Sequence, residues 1–202
     1  IQLNLETFVR AYGSESNLKV LDFGCGQGHQ TEVYAKLFPS VSFVGFDPCK
    51  SSIRKGKESL STRPQVPNLR LMDSDEFNAS DNAAEFDAVI SSEVIEHIPD
   101  TAKVIHSLEA MIKPGGMMCF TTPWGPWEWD GKRSDLMIEE TRSRYVMPIE
   151  MHLHHFEQAD LRDLFGNRQE FKITVVSTEL TQFGAARGQF TSSWRVSGLA
   201  EE

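Results

Sequence analysis

The stretch Val20-Leu21-Asp22-Phe23-Gly24-Cys25-Gly26-Gln27-Gly28 constrains this chain more than any other. Leu18, Val20, Leu21 and Phe23 form an apolar run of strand type; three glycines follow at alternate positions, and a helix-compatible segment runs from about Thr31 to Phe38. The pattern predicts a strand, a tight turn and a helix. Glycine permits positive φ and lets a ligand lie against bare backbone, while the N-terminus of the following helix offers unpaired N–H groups. Such a turn is a nucleotide-type cradle. About twenty residues beyond it, a second apolar run from Val41 to Phe46 ends at Asp47, where a carboxylate can accept both hydroxyls of a ribose.

The glycine spacing departs from the dinucleotide fingerprint G-x-G-x-x-G, because it reads D-x-G-x-G-x-G with an acid at its head. Asp22 to Gly28 resembles motif I of the class I S-adenosylmethionine-dependent methyltransferases, and Gly45-Phe46-Asp47-Pro48 resembles their second nucleoside motif. The difference has a physical sense. A dinucleotide needs the helix dipole aimed at a pyrophosphate, whereas S-adenosylmethionine has no phosphate and carries an ammonium and a sulfonium. Asp22 supplies a negative charge that suits a cation. The resemblance implies an α/β fold, a doubly wound, seven-stranded, mostly parallel sheet with a terminal antiparallel hairpin. It further implies that Asp22, Gly24, Gly26, Gln27, Asp47, Asp73, Ser74 and Ser91 bind the cofactor, with Asp73 taking the adenine amino group. Asp and Ser after a strand are also plain turn formers.

At 202 residues, 40% of them hydrophobic, the chain can bury one substantial core, so residues 1–202 are read as a single domain. A net charge of −9 disfavours a phosphate-backbone-binding surface, without excluding a local basic patch. Cys25, Cys49 and Cys119 are an odd number at unrelated spacings, which suggests neither a disulfide framework nor a thiolate metal site. A reducing, cytoplasmic compartment is expected. No apolar run is long enough to span a bilayer and no signal-peptide pattern is present. The start at Ile1 rather than Met leads to the expectation of a domain taken from a longer protein, fused to others.

In chain order, Leu3, Leu5, Phe8, Val9 and Tyr12 predict a short amphipathic helix, and Ser51 caps a helix running towards Leu60. Leu69 to Met72 and Phe86 to Ile90 are the third and fourth strands. After the fourth comes Ser91-Ser92-Glu93-Val94-Ile95-Glu96-His97-Ile98. If a helical turn starts here, Glu93, Glu96 and His97 stand at i, i+3 and i+4 on one face. That cluster is either a divalent-cation site or a structural arrangement in which Glu96 caps and His97 orients loops.

A helix from Val104 to Ile112, a Lys113-Pro114-Gly115-Gly116 turn and a fifth strand from Met117 to Thr121 follow. Further on, His152-Leu153-His154-His155-Phe156-Glu157 supplies three imidazoles in four positions before a helix from Gln158 to Phe165. Glu93, Glu96, His97 and His154 resemble the metal-binding set of the small-RNA 2′-O-methyltransferases, and quinone-ring O-methyltransferases share the E-x-x-E-H half. That likeness implies Mg²⁺ or Mn²⁺ lowering the pKa of the attacking hydroxyl. Alternatively a histidine is a metal-free general base and the others pack. Between lies Trp124-Gly125-Pro126-Trp127-Glu128-Trp129, in a segment 122–151 read as an acceptor lid, its tryptophans serving lid packing or substrate contact. This loop and the His-rich segment also resemble methyltransferase domains fused to glycosyltransferases in glycan assembly, as in large algal viruses. Phe171 to Ser177 and Trp194 to Leu199 are the last two strands, with a loop from Gly184 to Gln189 between them.

These readings converge on an S-adenosylmethionine-dependent O-methyltransferase acting on a hydroxyl of a sugar, with His154, His155 and Glu93 as catalytic candidates, His152 as a spare base and a divalent metal assisting. The acceptor is a glycan or a small molecule. The alternatives are an RNA 2′-O-methyltransferase, a quinol or small-molecule O-methyltransferase, and a cofactor-binding regulatory domain without chemistry.

Overall fold

The computed structural model describes residues 1–12, 17–78, 82–124, 153, 154, 156, 158–165, 172–178 and 187–195. The apolar runs become seven strands: β1 (Lys19–Phe23), β2 (Ser42–Phe46), β3 (Leu69–Met72), β4 (Phe86–Ser92), β5 (Ile112–Trp124), β6 (Lys172–Thr178) and β7 (Arg187–Arg195). They form one sheet in the order β3-β2-β1-β4-β5-β7-β6. Pairing is parallel from β3 across to β5, while β7 runs antiparallel to both β5 and β6. The order reverses at β1, and in an open sheet of this kind ligands bind beyond the carboxyl ends of the strands where the winding changes direction.

Strand residues alternate between two cores. Val20, Phe43, Ala88, Ile90, Met117 and Cys119 pack on one face with Leu5 and Phe8 of α1 (Gln2–Tyr12) and with Tyr34 and Ala35 of α2 (His29–Leu37). Leu21, Val44, Val89, Met118 and Phe120 point the other way, onto Ile105 and Leu108 of α4 (Thr101–Ala110) and Leu161 and Phe165 of α5 (Gln158–Phe165). Burial on both sides explains why the parallel strands read as continuous apolar runs. Among the described residues no helix is long and apolar enough to cross a membrane.

Four local expectations need correction. The helix α3 (Lys50–Ser61) is flanked by Cys49 rather than Ser51 and has no side-chain cap; Ser51 Oγ lies 3.2 Å from Cys49 Sγ instead. Lys113 to Gly116 is not a free turn before β5. Phe86 pairs with Ile112 and Ala88 with Met117, so these four residues bulge out opposite Asp87, and Lys113 Nζ binds the Asp87 carboxylate at 2.9 Å. The last strand begins at Arg187 rather than at Trp194, because its ladder with β5 runs from Gly188 to Arg195. The fourth correction concerns the segment after β4. It is a short 3₁₀ turn, Ile95–His97, and Glu93 stands outside it with φ 56.

Candidate active site

The glycine turn is held from below by β2. Gly24 and Cys25 donate their N–H groups to the Phe46 carbonyl at 2.7 and 3.0 Å, and the Gly26 N–H donates to Asp47 Oδ2 at 2.8 Å. Gly24, Gly26 and Gly28 all adopt positive φ, the region where a side chain is costly. They serve different ends. A Cβ on Gly24 would lie 2.4 Å from Val94, and one on Gly28 would lie 2.5 Å from Leu71, so these two allow close packing. A Cβ on Gly26 would meet nothing within 4 Å. Gly26 therefore leaves bare backbone facing open space, which is the cradle a ligand requires.

Asp22, the last residue but one of β1, lies beneath this turn, 6% exposed. Its Oδ2 accepts a 2.6 Å hydrogen bond from Thr31 Oγ1, in the first turn of α2. Burial pushes the Asp22 carboxyl up to about 6; the Thr31 hydrogen bond opposes that shift and the charge of Asp47 adds to it. The Cys25 thiol is likewise pushed up, by burial first and then by Asp22 and Asp47. Two acids, Asp22 buried and Asp47 half-buried, thus give this turn a negative character. That character suits a small cationic donor.

Asp47 is half-buried and uses both carboxylate oxygens on backbone: Oδ2 on Gly26 and Oδ1 on the Cys49 N–H at 2.8 Å. Each oxygen keeps a further lone pair, so a ribose can still be accepted. Asp73 Oδ1 accepts the Asp75 N–H at 2.9 Å in a local turn, and Ser74 and Gln27 are exposed. Ser91 is buried and donates its hydroxyl to the Phe23 carbonyl at 2.9 Å, which joins β4 to β1 rather than offering the hydroxyl to a ligand. Thr31 and Val94 were missed in the sequence. Thr31 had one usable signal, a hydroxyl placed where a new helix begins, nine residues after the acid.

The second half of the site follows β4. Glu93, at φ 56, donates its N–H to the Thr121 carbonyl at 3.0 Å. A residue with a side chain held in the left-handed region is strained, and such strain concentrates at functional loops. Glu96 is 1% exposed; Oε2 accepts from Thr122 Oγ1 at 3.3 Å, and Oε1 lies 3.8 Å from His97 Nε2. The Glu96 carbonyl receives the N–H groups of Leu153 and His154 at 2.8 and 3.1 Å, so the returning chain does arrive beside the E-x-x-E-H segment. His154 Nε2, however, donates to the Ile98 carbonyl at 2.8 Å, and its ring stacks on Phe156 with centroids 5.5 Å apart. Nδ1 is then the basic nitrogen of the neutral ring. His154 and Phe156 also line a cavity of about 460 Å³ with Pro99, Thr101, Asp160 and Leu164.

The expected ligand set is therefore not assembled. Among the described residues no three His, Cys, Asp or Glu side chains come together to hold a metal ion. The expected helical face is broken at Glu93, Glu96 is in the core, and the Nε2 of His154 is committed to a carbonyl. These residues as arranged do not fit Mg²⁺ or Mn²⁺. His152, His155 and most of the expected lid, including Trp127 and Trp129, lie outside the described residues.

Sheet order, negative crevice and glycine turn define a class I methyltransferase fold. The chain belongs to the methyltransferase domain family, whose model matches residues 2–175. It is 35% identical over 116 residues to the ubiquinone biosynthesis O-methyltransferase of Hydrogenovibrio crunogenus, covering 57% of this chain and 46% of that protein. It is 38% identical over 110 residues to the mitochondrial ubiquinone biosynthesis O-methyltransferase of Rattus norvegicus, covering 53% and 31%. The chain thus spans less than half the length of these curated relatives. Among solved structures it resembles an arsenic(III) S-adenosylmethionine methyltransferase from Chlamydomonas reinhardtii, with TM-score 0.63 and 21% identity over 94% of this chain and 66% of that one. It also resembles Haemonchus contortus phosphoethanolamine N-methyltransferase 2 in complex with S-adenosyl-L-methionine, with TM-score 0.67 and 16% identity over 98% and 53%. Both of these relatives are named for ubiquinone biosynthesis, and neither name mentions a sugar acceptor or a glycosyltransferase.

Proposed function

We propose that this chain transfers the methyl group of S-adenosylmethionine to a hydroxyl oxygen of a small, quinol-type acceptor. The observation that carries the donor half is the Asp22, Gly26 and Asp47 cradle: a buried acid, bare backbone facing open space, and a second acid at the end of the neighbouring strand. When bound, S-adenosylmethionine supplies an already activated methyl group. The protein then has to align a nucleophile in line with it and remove a proton.

His154 is the candidate proton acceptor among the described residues. Its Nε2–H is anchored on the Ile98 carbonyl, which fixes the tautomer and keeps Nδ1 basic. Glu93, at the carboxyl end of β4, is the candidate orienting acid; His155 remains a second candidate base on sequence grounds. A phenolic hydroxyl, with a pKa of about 10, is within reach of an imidazole base, while an aliphatic sugar hydroxyl is a weaker acid than a phenol and demands a stronger device. This difference and the named activity of the relatives favour the quinol over the sugar. No step of this proposal runs through a metal.

The test is turnover of methyl-labelled S-adenosylmethionine against a panel of catechols and quinols, sugars and short RNA. Label transfer confined to the aromatic diols is the expected result. Transfer to sugar or RNA alone would replace the acceptor; no transfer to any of them, with donor binding intact, would favour a regulatory domain.

A further inference from the structure

Asp22 is the fourth residue of β1, flanked by Gly45 of β2 and Ile90 of β4. Thr31 is fully buried, and its hydroxyl is the single hydrogen-bond donor that Asp22 has among the described residues. The helix α2 is capped by Gly28, which offers no side-chain bond, and the Thr31 hydroxyl in its first turn reaches across to the strand. The titratable groups facing Asp22 are Asp47 from β2, Cys25 from the turn and Tyr34 from α2; β4 contributes the apolar Ile90. None of these is a cation. A buried carboxylate facing a second carboxylate needs positive charge, and the methyl donor brings it.

We propose that Thr31 is a positioning residue of the donor site: its hydroxyl fixes Asp22 as a carboxylate acceptor, and through Asp22 the binding of the cationic donor is coupled to release of one proton. This rests on the methyl-donor reading of the cradle. With its carboxyl raised to about 6, Asp22 is partly protonated in the free protein near that pH. A bound cation favours the ionised form, so protonated Asp22 loses its proton to the buffer as the donor enters. Below about pH 6 the apparent affinity should fall towards roughly tenfold per pH unit, and above it should level off. Thr31 donates to the charged form, so its removal should raise the Asp22 pKa and move this midpoint towards neutral pH.

The experiment is isothermal titration calorimetry of the chain with S-adenosylmethionine from pH 5 to 8, in two buffers of different ionisation heat. The wild type should release close to one proton at the lowest pH and close to none at pH 7, with uptake of a fraction of a proton at pH 8, where the donor's own amino group must be protonated to bind as a cation. Thr31→Val should shift the midpoint upward and Thr31→Ser should restore it, whereas a merely structural role would weaken binding equally at every pH. Donor binding without proton release, or with the same midpoint in Thr31→Val, overturns the coupling while leaving the donor reading in place. Should Thr31→Val fail to fold, Thr31→Ala takes its place with the same expected midpoint shift, and the wild-type proton count still decides the coupling. No binding by the wild type at any pH would remove the donor reading and the coupling with it.

Discussion

The two halves of the crevice are built by different means. On the donor side, the turn after β1 takes its shape from glycine backbone, whose N–H groups donate to the Phe46 carbonyl and to the Asp47 carboxylate. On the side proposed for the acceptor, the segment after β4 is fixed largely by side chains, Glu96 drawn into the core and His154 pinned on Ile98, with Glu93 held at positive φ between strand and turn. Backbone requirements leave a mark in sequence because few residues meet them. Side-chain requirements can be met by several arrangements of the same letters, so the second half admits more than one geometry.

Substitutions can break this contrast. The largest effect should come from Gly24→Ala, where the new methyl would meet Val94 at 2.4 Å in a left-handed backbone. A loss of stability on the order of 3 kcal/mol in urea denaturation is expected. Asp22→Asn should separate folding from binding. Because the folded carboxyl titrates at about 6 against 3.8 in the unfolded chain, ionisation destabilises the fold as pH rises through that window. The Asn variant should therefore be more stable by about 2 kcal/mol at pH 7, with the advantage gone near pH 4, while donor affinity falls roughly tenfold to a hundredfold. Asp47→Ala should weaken donor binding about tenfold in calorimetry, by loss of a ribose acceptor and of the Gly26 tether.

On the acceptor side, Glu93→Gly should relieve the backbone and raise the melting temperature slightly, by about 1 kcal/mol of stability, yet lower turnover with donor affinity unchanged. Unchanged turnover would remove Glu93 from the active site. The smallest effect is expected from EDTA, which should leave activity intact because, among the described residues, no three His, Cys, Asp or Glu side chains come together to hold a metal ion. Activity lost in EDTA and restored by Mg²⁺ or Mn²⁺ would mean that Glu93, Glu96, His97 and His154 rearrange into the set that their spacing suggests.

Much of the fold was legible, since β3 and α5 fall at the residues where the sequence places them and the seven-stranded sheet with its terminal antiparallel hairpin is the one that the methyltransferase resemblance implies. The failures were local. Glu93, Glu96 and His97 share a face in an ideal helix, but the chain leaves β4 through a left-handed residue, which no periodicity count anticipates in a Glu. Ser91 entered the cofactor set only through the family resemblance; where its hydroxyl goes, onto the Phe23 carbonyl, depends on the neighbouring strand and is not written in the local sequence. Thr31 escaped notice for the opposite reason, as an ordinary helix residue whose partner lies on another element.

Leu71, on β3, presses its branched end against the backbone at Gly28, Gly45 and Gly56, each so closely that an added Cβ would fall within 3 Å of it. One side chain thus sets the spacing of three backbone segments behind the donor crevice. Widening that crevice for donors with a bulkier nucleoside would begin with a shorter residue at this outlying position and leave the glycines themselves untouched.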